Sequence, residues 1–386
     1  MEIRYINKDE AADFQKVSAA SFIWKFDAEV GSTVDMPVLA AFDEGRLIAG
    51  VEAYNYKTNY CGNILNSLVI SGVCSLPECR RMGGVRKIFE KVEELAVEND
   101  WSFGFLHPFS IEYYEKFGFA NLNRMFTITV PFEKLRHIPF NTDVTLYKGE
   151  NSEELYALHK KCAFTENLIS LRDERQHFWE KPFEEAKYTY IHRNANGEAD
   201  GYVGFEVNRP DNLKVTDLFF LSPDALKGLI GFLRGYDGIV KNLIVRNQYT
   251  GSPLACLLGN VDNVVFDSDG GLAARIYNMQ KVLESNSYPD AYGKFSLKCV
   301  DTMEQNNAVF EVEYQNGKAT VTKKADGDYD ISLTAPAAAR LILAGEGITA
   351  ETAAYLDGVE INGNADDFFR AFPYRRTRFM SSPWSD

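Results

Sequence analysis

The stretch Ile70–Ile88, which reads Ile-Ser-Gly-Val-Cys-Ser-Leu-Pro-Glu-Cys-Arg-Arg-Met-Gly-Gly-Val-Arg-Lys-Ile, does most to limit what this chain can fold into. It has the pattern of an apolar strand, a tight turn and the opening of a helix. After the turn, Val85, Ile88, Phe89, Val92, Leu95 and Ala96 recur at helical spacing with Lys87, Glu90, Lys91, Glu93 and Glu94 between them. That periodicity predicts an amphipathic helix to about Asn99. A helix that opens straight off a strand leaves backbone N–H groups unpaired and a positive dipole end exposed. Gly83 and Gly84 keep side chains away from that end, and Arg80 and Arg81 add charge, so a pyrophosphate suits the place. Taken alone, an Arg-x-x-Gly before a helix is more often an ordinary turn with solvated charges, and the flanking sequence has to decide.

The flanks give a definite order of elements. Val38–Phe42 and Leu47–Val51 surround the turn Asp43-Glu44-Gly45-Arg46 and predict a hairpin. Trp101–Leu106 predicts a strand after the helix. The run His107–Phe119 then predicts a short helix, capped by Ser110 and stopped by Gly118.

This succession of hairpin, strand, Arg-x-x-Gly turn, helix, strand and Tyr-x-x-Phe-Gly-Phe helix resembles the GNAT superfamily of acyl-CoA-dependent N-acyltransferases, over roughly residues 1–130. The resemblance implies that Arg80, Arg81, Gly83, Gly84 and Val85 bind the pyrophosphate of coenzyme A, with acetyl-CoA as co-substrate. Val85 departs from the superfamily's usual Gly or Ala. In that departure the turn is similar to the enhanced intracellular survival (Eis) proteins, whose turn reads Arg-Arg-x-Gly followed by apolar residues and Arg.

The rest of the chain agrees with that narrower likeness. At 386 residues, a prior of ~150 residues per domain suggests two or three domains. From about Thr142 to Tyr288 runs a second mixed block, with a helical pattern in Ser152–Phe164, strands in Lys187–His192 and Gly201–Asn208, and a helix in Pro223–Gly235, but no glycine-rich turn. Its closing segment, Gly271–Leu283, resembles the Arg-Ile helix that ends the central, cofactor-free domain of Eis proteins. Phe295–Val300, Ala308–Val312, Gly317–Thr322 and Tyr329–Leu333 then alternate as a strand meander. Helices are expected in Ala335–Ala344, Ala350–Leu356 and Ala365–Phe372, the last two joined by Val359–Gly363. This ending is similar to a sterol-carrier-protein-like domain. The expected architecture is therefore α/β with mixed sheets: a GNAT acetyltransferase domain in 1–137, a degenerate GNAT-like domain in 138–288 and a sterol-carrier-like α+β domain in 289–386.

Composition excludes several other classes. With 55 acidic against 41 basic residues the net charge is −14, which argues against nucleic acid and mildly favours cationic partners, although plain solubility explains the surplus as well. No apolar run approaches the ~20 residues that span a bilayer, and Met1–Glu10 has no signal-peptide core, so no membrane insertion and a cytoplasmic location are expected. The six cysteines show no Cys-x-x-Cys spacing and suggest neither a metal site nor a disulfide framework.

The resemblance also implies a division of labour. Backbone groups of Val73, Cys74 and Ser75 are expected to bond the thioester arm and the developing oxyanion, because in GNAT folds this strand splays from its neighbour at the cofactor. Cys74 invites a covalent intermediate, but no His follows at a persuasive spacing and strand cysteines are usually core, so direct transfer to the amine is expected. Tyr114 matches the tyrosine that protonates the departing thiolate. Tyr113 points ~100° away on the same helix and serves as its control; the plainer alternative makes Tyr114 a core aromatic. In Eis proteins the C-terminal carboxylate, on an aromatic residue, enters the active site. Here Trp384 is followed by Ser385 and Asp386, so the base is the main-chain carboxylate of Asp386 or its side chain, unless the tail simply frays. Trp24, Phe26, Asp27 and Glu52 would form an aromatic and acidic acceptor pocket suited to a cationic amine. The expected function is acetyl-CoA-dependent N-acetylation of a small-molecule or peptide amine, aminoglycoside or lysine, by a homo-oligomer for which the resemblance implies a hexamer. Longer-chain acyl transfer and a non-enzymatic lipid carrier are the alternatives.

Overall fold

A computed structural model describes residues 1–25, 37–122, 125–173, 178–249, 251–269 and 271–378. The chain divides into two compact units. One comprises Met1–Lys57, Ile64–Leu122 and Leu272–Pro373; the described residues of Thr58–Asn63, Asn123–Gly271 and Tyr374–Asp386 make the other.

The first unit begins with β1 (Glu2–Tyr5), α1 (Ala11–Phe22), β2 (Val38–Asp43), β3 (Arg46–Tyr60), β4 (Asn63–Ser75), α2 (Gly84–Glu98), β5 (Phe103–Leu106), α3 (Ile111–Tyr114) and β6 (Ala120–Asn121). The hairpin turn between β2 and β3 has positive φ at both central residues, Glu44 at 49° and Gly45 at 80°, the mirror-image geometry that matches strand twist. One face of the sheet buries Leu39, Ala41, Ile48, Val51, Leu68 and Ile70 against Ile88, Phe89, Val92 and Leu95 of α2. Each such side chain contributes about 1.5–3 kcal/mol by leaving water. The other face packs Val38, Ala40, Phe42, Leu47 and Cys74 against Phe14 and Val17 of α1. The expected apolar stripe of α2 is thus the observed one, except that Val85 is only partly buried.

The second unit carries β7 (Met125–Pro131), β8 (Val144–Leu146), α4 (Ser152–Ala163), β9 (Lys187–Arg193), β10 (Ala199–Asn208), β11 (Asn212–Phe220), α5 (Pro223–Leu233), β12 (Asn242–Gln248) and β13 (Val265–Asp269). Its sheet runs β13-β7-β12-β11-β10-β9-β8. Among the described residues of this sheet only β11 and β12 pair parallel, and α5 joins them as their crossover.

The chain then returns to the first unit as β14 (Ala273–Ile276), which lies between β5 and β6 and is antiparallel to both. That sheet therefore reads β1-β2-β3-β4-β5-β14-β6. The helix expected across Gly271–Leu283 is instead this strand followed by α6 (Met279–Ser285), because Ala273–Ile276 finds ladder partners on both sides and all four of its residues are buried. The two sheets share one plan. In each, a parallel pair (β4 and β5, β11 and β12) is followed by a strand that lies far from it in sequence: β14 in the first, β7 in the second. The boundary expected at residue 137 falls after β7, and residues 272–288, read with the central block, count with the first unit.

The first unit ends in a five-stranded sheet ordered β17-β16-β15-β18-β19, made of β15 (Gly293–Val300), β16 (Ala308–Gln315), β17 (Lys318–Lys324), β18 (Ile331–Thr334) and β19 (Val359–Ile361), with α7 (Ala335–Leu343) following β18. It is a meander only through β17, since β18 pairs parallel with β15. The expected connector Val359–Gly363 supplies an edge strand antiparallel to β18.

At the centre of the first sheet Gly104 faces the fully buried ring of Tyr277, just beyond β14. A Cβ there would lie 2.5 Å from the ring and its hydroxyl oxygen. Gly104→Ala is expected to destabilise the protein by about 1–3 kcal/mol through overpacking, read as a lower urea midpoint with an unchanged slope. An unaltered midpoint would show that β14 does not seat as described.

Candidate active site

A short turn, Pro77–Cys79, leads from β4 towards α2, with Met82 N donating to Cys79 O at 3.3 Å. Arg81 and Gly83 then take positive φ, 68° and 89°, and α2 opens at Gly84 with Gly83 as its N-cap. No side chain caps the helix. The amides of Gly84, Val85 and Arg86 have no acceptor within its first turn. The two glycines do different work. Gly83 is required by its left-handed backbone, and a Cβ on it would meet nothing within 4 Å; Gly84 lets the helix approach the sheet, where a Cβ would stand 3.2 Å from that of Ala49.

These groups edge a cavity of about 800 Å³ lined by Cys79, Arg81, Gly83, Gly84, Val85 and Arg86 of the turn, Ala49 and Ser75 of β3 and β4, Glu90 and Glu93 of α2, Tyr113, Lys116 and Phe117, and Thr302. Arg81, Arg86 and Lys116 bring positive charge, and Glu93 is already paired with Arg275 at 2.5 Å. Open amides, a Gly83 with space beside it and surrounding cations fit the pyrophosphate of a coenzyme A ester. Arg80 is exposed and does not line the cavity.

Beside the cavity β4 changes character. Its parallel pairing with β5 ends at Ile70 and Leu106, although β4 continues to Ser75. Leu68, Ile70 and Val73 all face the α2 side while Cys74 faces α1. The alternation slips by one residue, and Gly72, with φ of 57°, marks the bulge. Val73, Cys74 and Ser75 thus stand where the ladder to β5 has stopped, and Ser75 N lies 3.5 Å from Ser21 Oγ at the end of α1. The Cys74 thiol is buried, bonds the carbonyl of Gly50 at 3.5 Å and is pushed up to about 12 by burial, so it packs as a core thiol and not as a nucleophile.

Glu52 is half-buried on the α1 side, opposite Val38, and crowds Gly72: a Cβ there would come within 3.1 Å of its carboxyl carbon. Burial raises its pKa above the usual carboxylate range, against a weak hydrogen bond from Tyr54 Oη at 3.4 Å. Ser110 Oγ caps α3 by accepting from Tyr113 N at 3.4 Å. Tyr114, 2% exposed, sits among Phe89, Phe109 and Phe119, and burial raises its pKa. Tyr113, not Tyr114, lines the cavity. Trp24 is exposed and stacks on Phe22 at 4.9 Å, just past the end of α1. Phe26, Asp27 and Asp386 lie outside the described residues. Sequence reasoning passed over Arg86 and Lys116, both within motifs it had quoted, and Thr302, which no local pattern marks.

In the second unit the corresponding helix opening is closed by its own residues. Ser222 Oγ accepts from Ala225 N at 3.0 Å and lies 3.2 Å from Asp200, and Pro223 has no N–H to offer.

Residues 2–121 match one family of acetyltransferase (GNAT) domains, and residues 171–282 match a second of the same description. Among solved structures, a conserved protein of unknown function from Enterococcus faecalis, described as a probable N-acyltransferase, is similar with a TM-score of 0.85 at 19% identity over 98% of both chains. A GCN5-related N-acetyltransferase from Anabaena variabilis has a TM-score of 0.83 at 17% identity, covering 98% of this chain and 99% of its own. Eis1 from Mycobacterium abscessus has 0.78 at 18%, covering 98% and 97%. No curated protein matches the sequence significantly.

Gly83→Glu is expected to keep the fold at a cost of about 1–2 kcal/mol for the left-handed backbone, and to abolish acetyl-CoA binding by calorimetry. Gly83→Ala, which carries the strain without the charge, should retain measurable binding; equal affinities for the wild type and Gly83→Glu would remove the anion cradle. The raised pKa of Glu52 has its own signature. The folded state holds the Glu52 proton more tightly than the unfolded state, so this group's contribution is fully present below the usual carboxylate pKa and is lost as pH rises through the folded value. Glu52→Gln should therefore gain thermal stability relative to the wild type as pH rises from below the usual carboxylate pKa to neutrality. A difference that stays flat across that range would contradict the shift.

Proposed function

With two GNAT acetyltransferase domains in tandem the chain is an acyltransferase, and we propose that it is an acetyl-CoA-dependent N-acetyltransferase that transfers acetyl directly to a primary amine of a cationic substrate, an aminoglycoside or a lysine side chain. The observation that carries this reading is the uncapped opening of α2, with Gly83 open to space, beside a cavity bounded by the bulged end of β4. Arg81, Gly83, Gly84, Val85 and Arg86 hold the pyrophosphate. Bound acetyl-CoA supplies an activated acyl carbon.

The chain supplies the rest. Amides in Val73–Ser75, freed from the ladder to β5, face the oxygen on which charge develops. The amine nitrogen bonds to the acyl carbon as the C–S bond breaks. Glu52, its carboxylate made more basic by burial, takes the amine proton directly or through water. The carboxylates of Asp386 belong to the same reading as a second source of the base, as Phe26 and Asp27 belong with Trp24 to the acceptor pocket. Tyr114, which keeps its proton at neutral pH, protonates the leaving thiolate.

The proposal extends to membership of the Eis family, to a sterol-carrier-like module in the C-terminal five-stranded sheet and its helices, and to a cytoplasmic homohexamer. The likeness to Eis1 over nearly the whole of both chains supports the family part of this reading. Titration with acetyl-CoA and with palmitoyl-CoA tests acyl length. Tight binding of palmitoyl-CoA alone would favour longer-chain transfer, and binding of neither would favour a non-enzymatic carrier.

Tyr114→Phe is expected to lower kcat by ~10²–10⁴ with little change in acetyl-CoA affinity. Tyr113→Phe should leave kcat near that of the wild type. Reversal of the two effects would assign the acid to Tyr113, whose ring lines the cavity.

A further inference from the structure

Arg275, on β14, is 1% exposed, so its charge has to be met from within the protein. Nη1 donates to Glu93 Oε1 and to the carbonyl of Phe117, each at 2.5 Å. Nη2 donates to Asp301 Oδ1 at 2.8 Å and Thr302 Oγ1 at 2.9 Å, while Nε is buried without a partner. Thr302 Oγ1 also bonds Glu93 at 3.1 Å. One guanidinium thus joins α2, the turn that closes the tyrosine helix and the loop after β15. It also accounts for the glycine of the Tyr-x-x-Phe-Gly-Phe motif. Gly118 has φ of 79°, and a Cβ on it would stand 2.8 Å from Arg275 Nε.

Three of the four bonded residues, Glu93, Phe117 and Thr302, line the cavity. A single nitrogen, Nη1, spans the helix that opens at the anion cradle and the end of the helix that carries both tyrosines. We propose that Arg275 is a positioning residue for acyl transfer: from a strand that follows the whole sheet of the second unit in sequence, it fixes the tyrosine helix against α2 and so sets the acid relative to the bound thioester. A lysine offers one nitrogen without the planar fork and cannot hold Glu93 and Phe117 O together with Asp301 and Thr302.

This inference rests on the acyl-CoA reading of the cavity, and the experiment separates the two. Acetyl-CoA binding by the wild-type protein is measured first by calorimetry, and turnover as thiol release with kanamycin and with a lysine peptide. Absence of both binding and turnover overturns the reading and the inference with it. In a binding, active protein, Arg275→Lys is expected to lower kcat by ~10²-fold, the cost of a misplaced catalytic group, while the KM for acetyl-CoA stays within about threefold because the cradle is untouched. Arg172→Lys, at the equally buried pair with Asp217 in the second unit (2.6 Å), is the control: it should lower the melting temperature and leave kcat unchanged. If Arg275→Lys does not fold, Thr302→Val, which removes one bridge and no charge, should give a several-fold loss of kcat at unchanged KM. Wild-type kcat in folded Arg275→Lys, or in Thr302→Val where the former fails to fold, overturns the positioning role and leaves the acyl-CoA reading standing.

Discussion

The site depends on a sheet that stops pairing before one of its strands ends. β4 outlasts its parallel bond to β5, bulges at Gly72 and delivers its last residues to a helix that no side chain of the described residues caps. Both features would be costly in a closed core, where an unbonded donor costs about 1–3 kcal/mol. Here they adjoin a cavity edged with Arg81, Arg86 and Lys116, so an anionic ester with a polar arm can complete what the backbone leaves open. The same bulge sends Cys74 into the α1 core and brings Glu52 over Gly72, where partial burial makes a carboxylate basic.

What the sequence made legible is what local rules govern. The stripe of α2, the hairpin, the Ser110 cap and the stop at Gly118 follow from periodicity and turn chemistry, and each stands where expected. Partner choice is not local. Ala273-Ala-Arg-Ile276 has no alternation to separate a helix from a strand buried on both faces, so its place between β5 and β6 was unreadable. For the same reason the need for glycine at 118 shows in the motif while its cause, Arg275, lies some 150 residues on. Glu52 was readable as a strand carboxylate, but its raised pKa depends on a neighbouring strand that only the fold supplies. Thr302 is a loop residue with no pattern at all.

The second GNAT domain shows what the first retains. Both sheets set a parallel pair beside a crossover helix, yet in one the helix opens on glycine with no side-chain cap among the described residues, and in the other on Ser222-Pro223, which satisfies or deletes the same donors. A serine cap and a proline are ordinary stabilising choices. An opening that gives them up leaves the same donors to water or a ligand.

The placement of β14 and β7 has a further consequence, for synthesis. On the ribosome β5 and β6 emerge long before the strand that lies between them, and at ~5–20 residues per second the intervening 150 or so residues take on the order of ten seconds. Through that interval the first sheet keeps an open edge at its apolar centre, where Phe103 and Phe105 will later be covered. β7, already made, waits for β12 in the same way. The nascent chain thus passes through a state in which neither sheet is complete and each carries an unpaired strand, and the Arg275 clamp, which needs Asp301 and Thr302, cannot form until more than three-quarters of the protein has been translated.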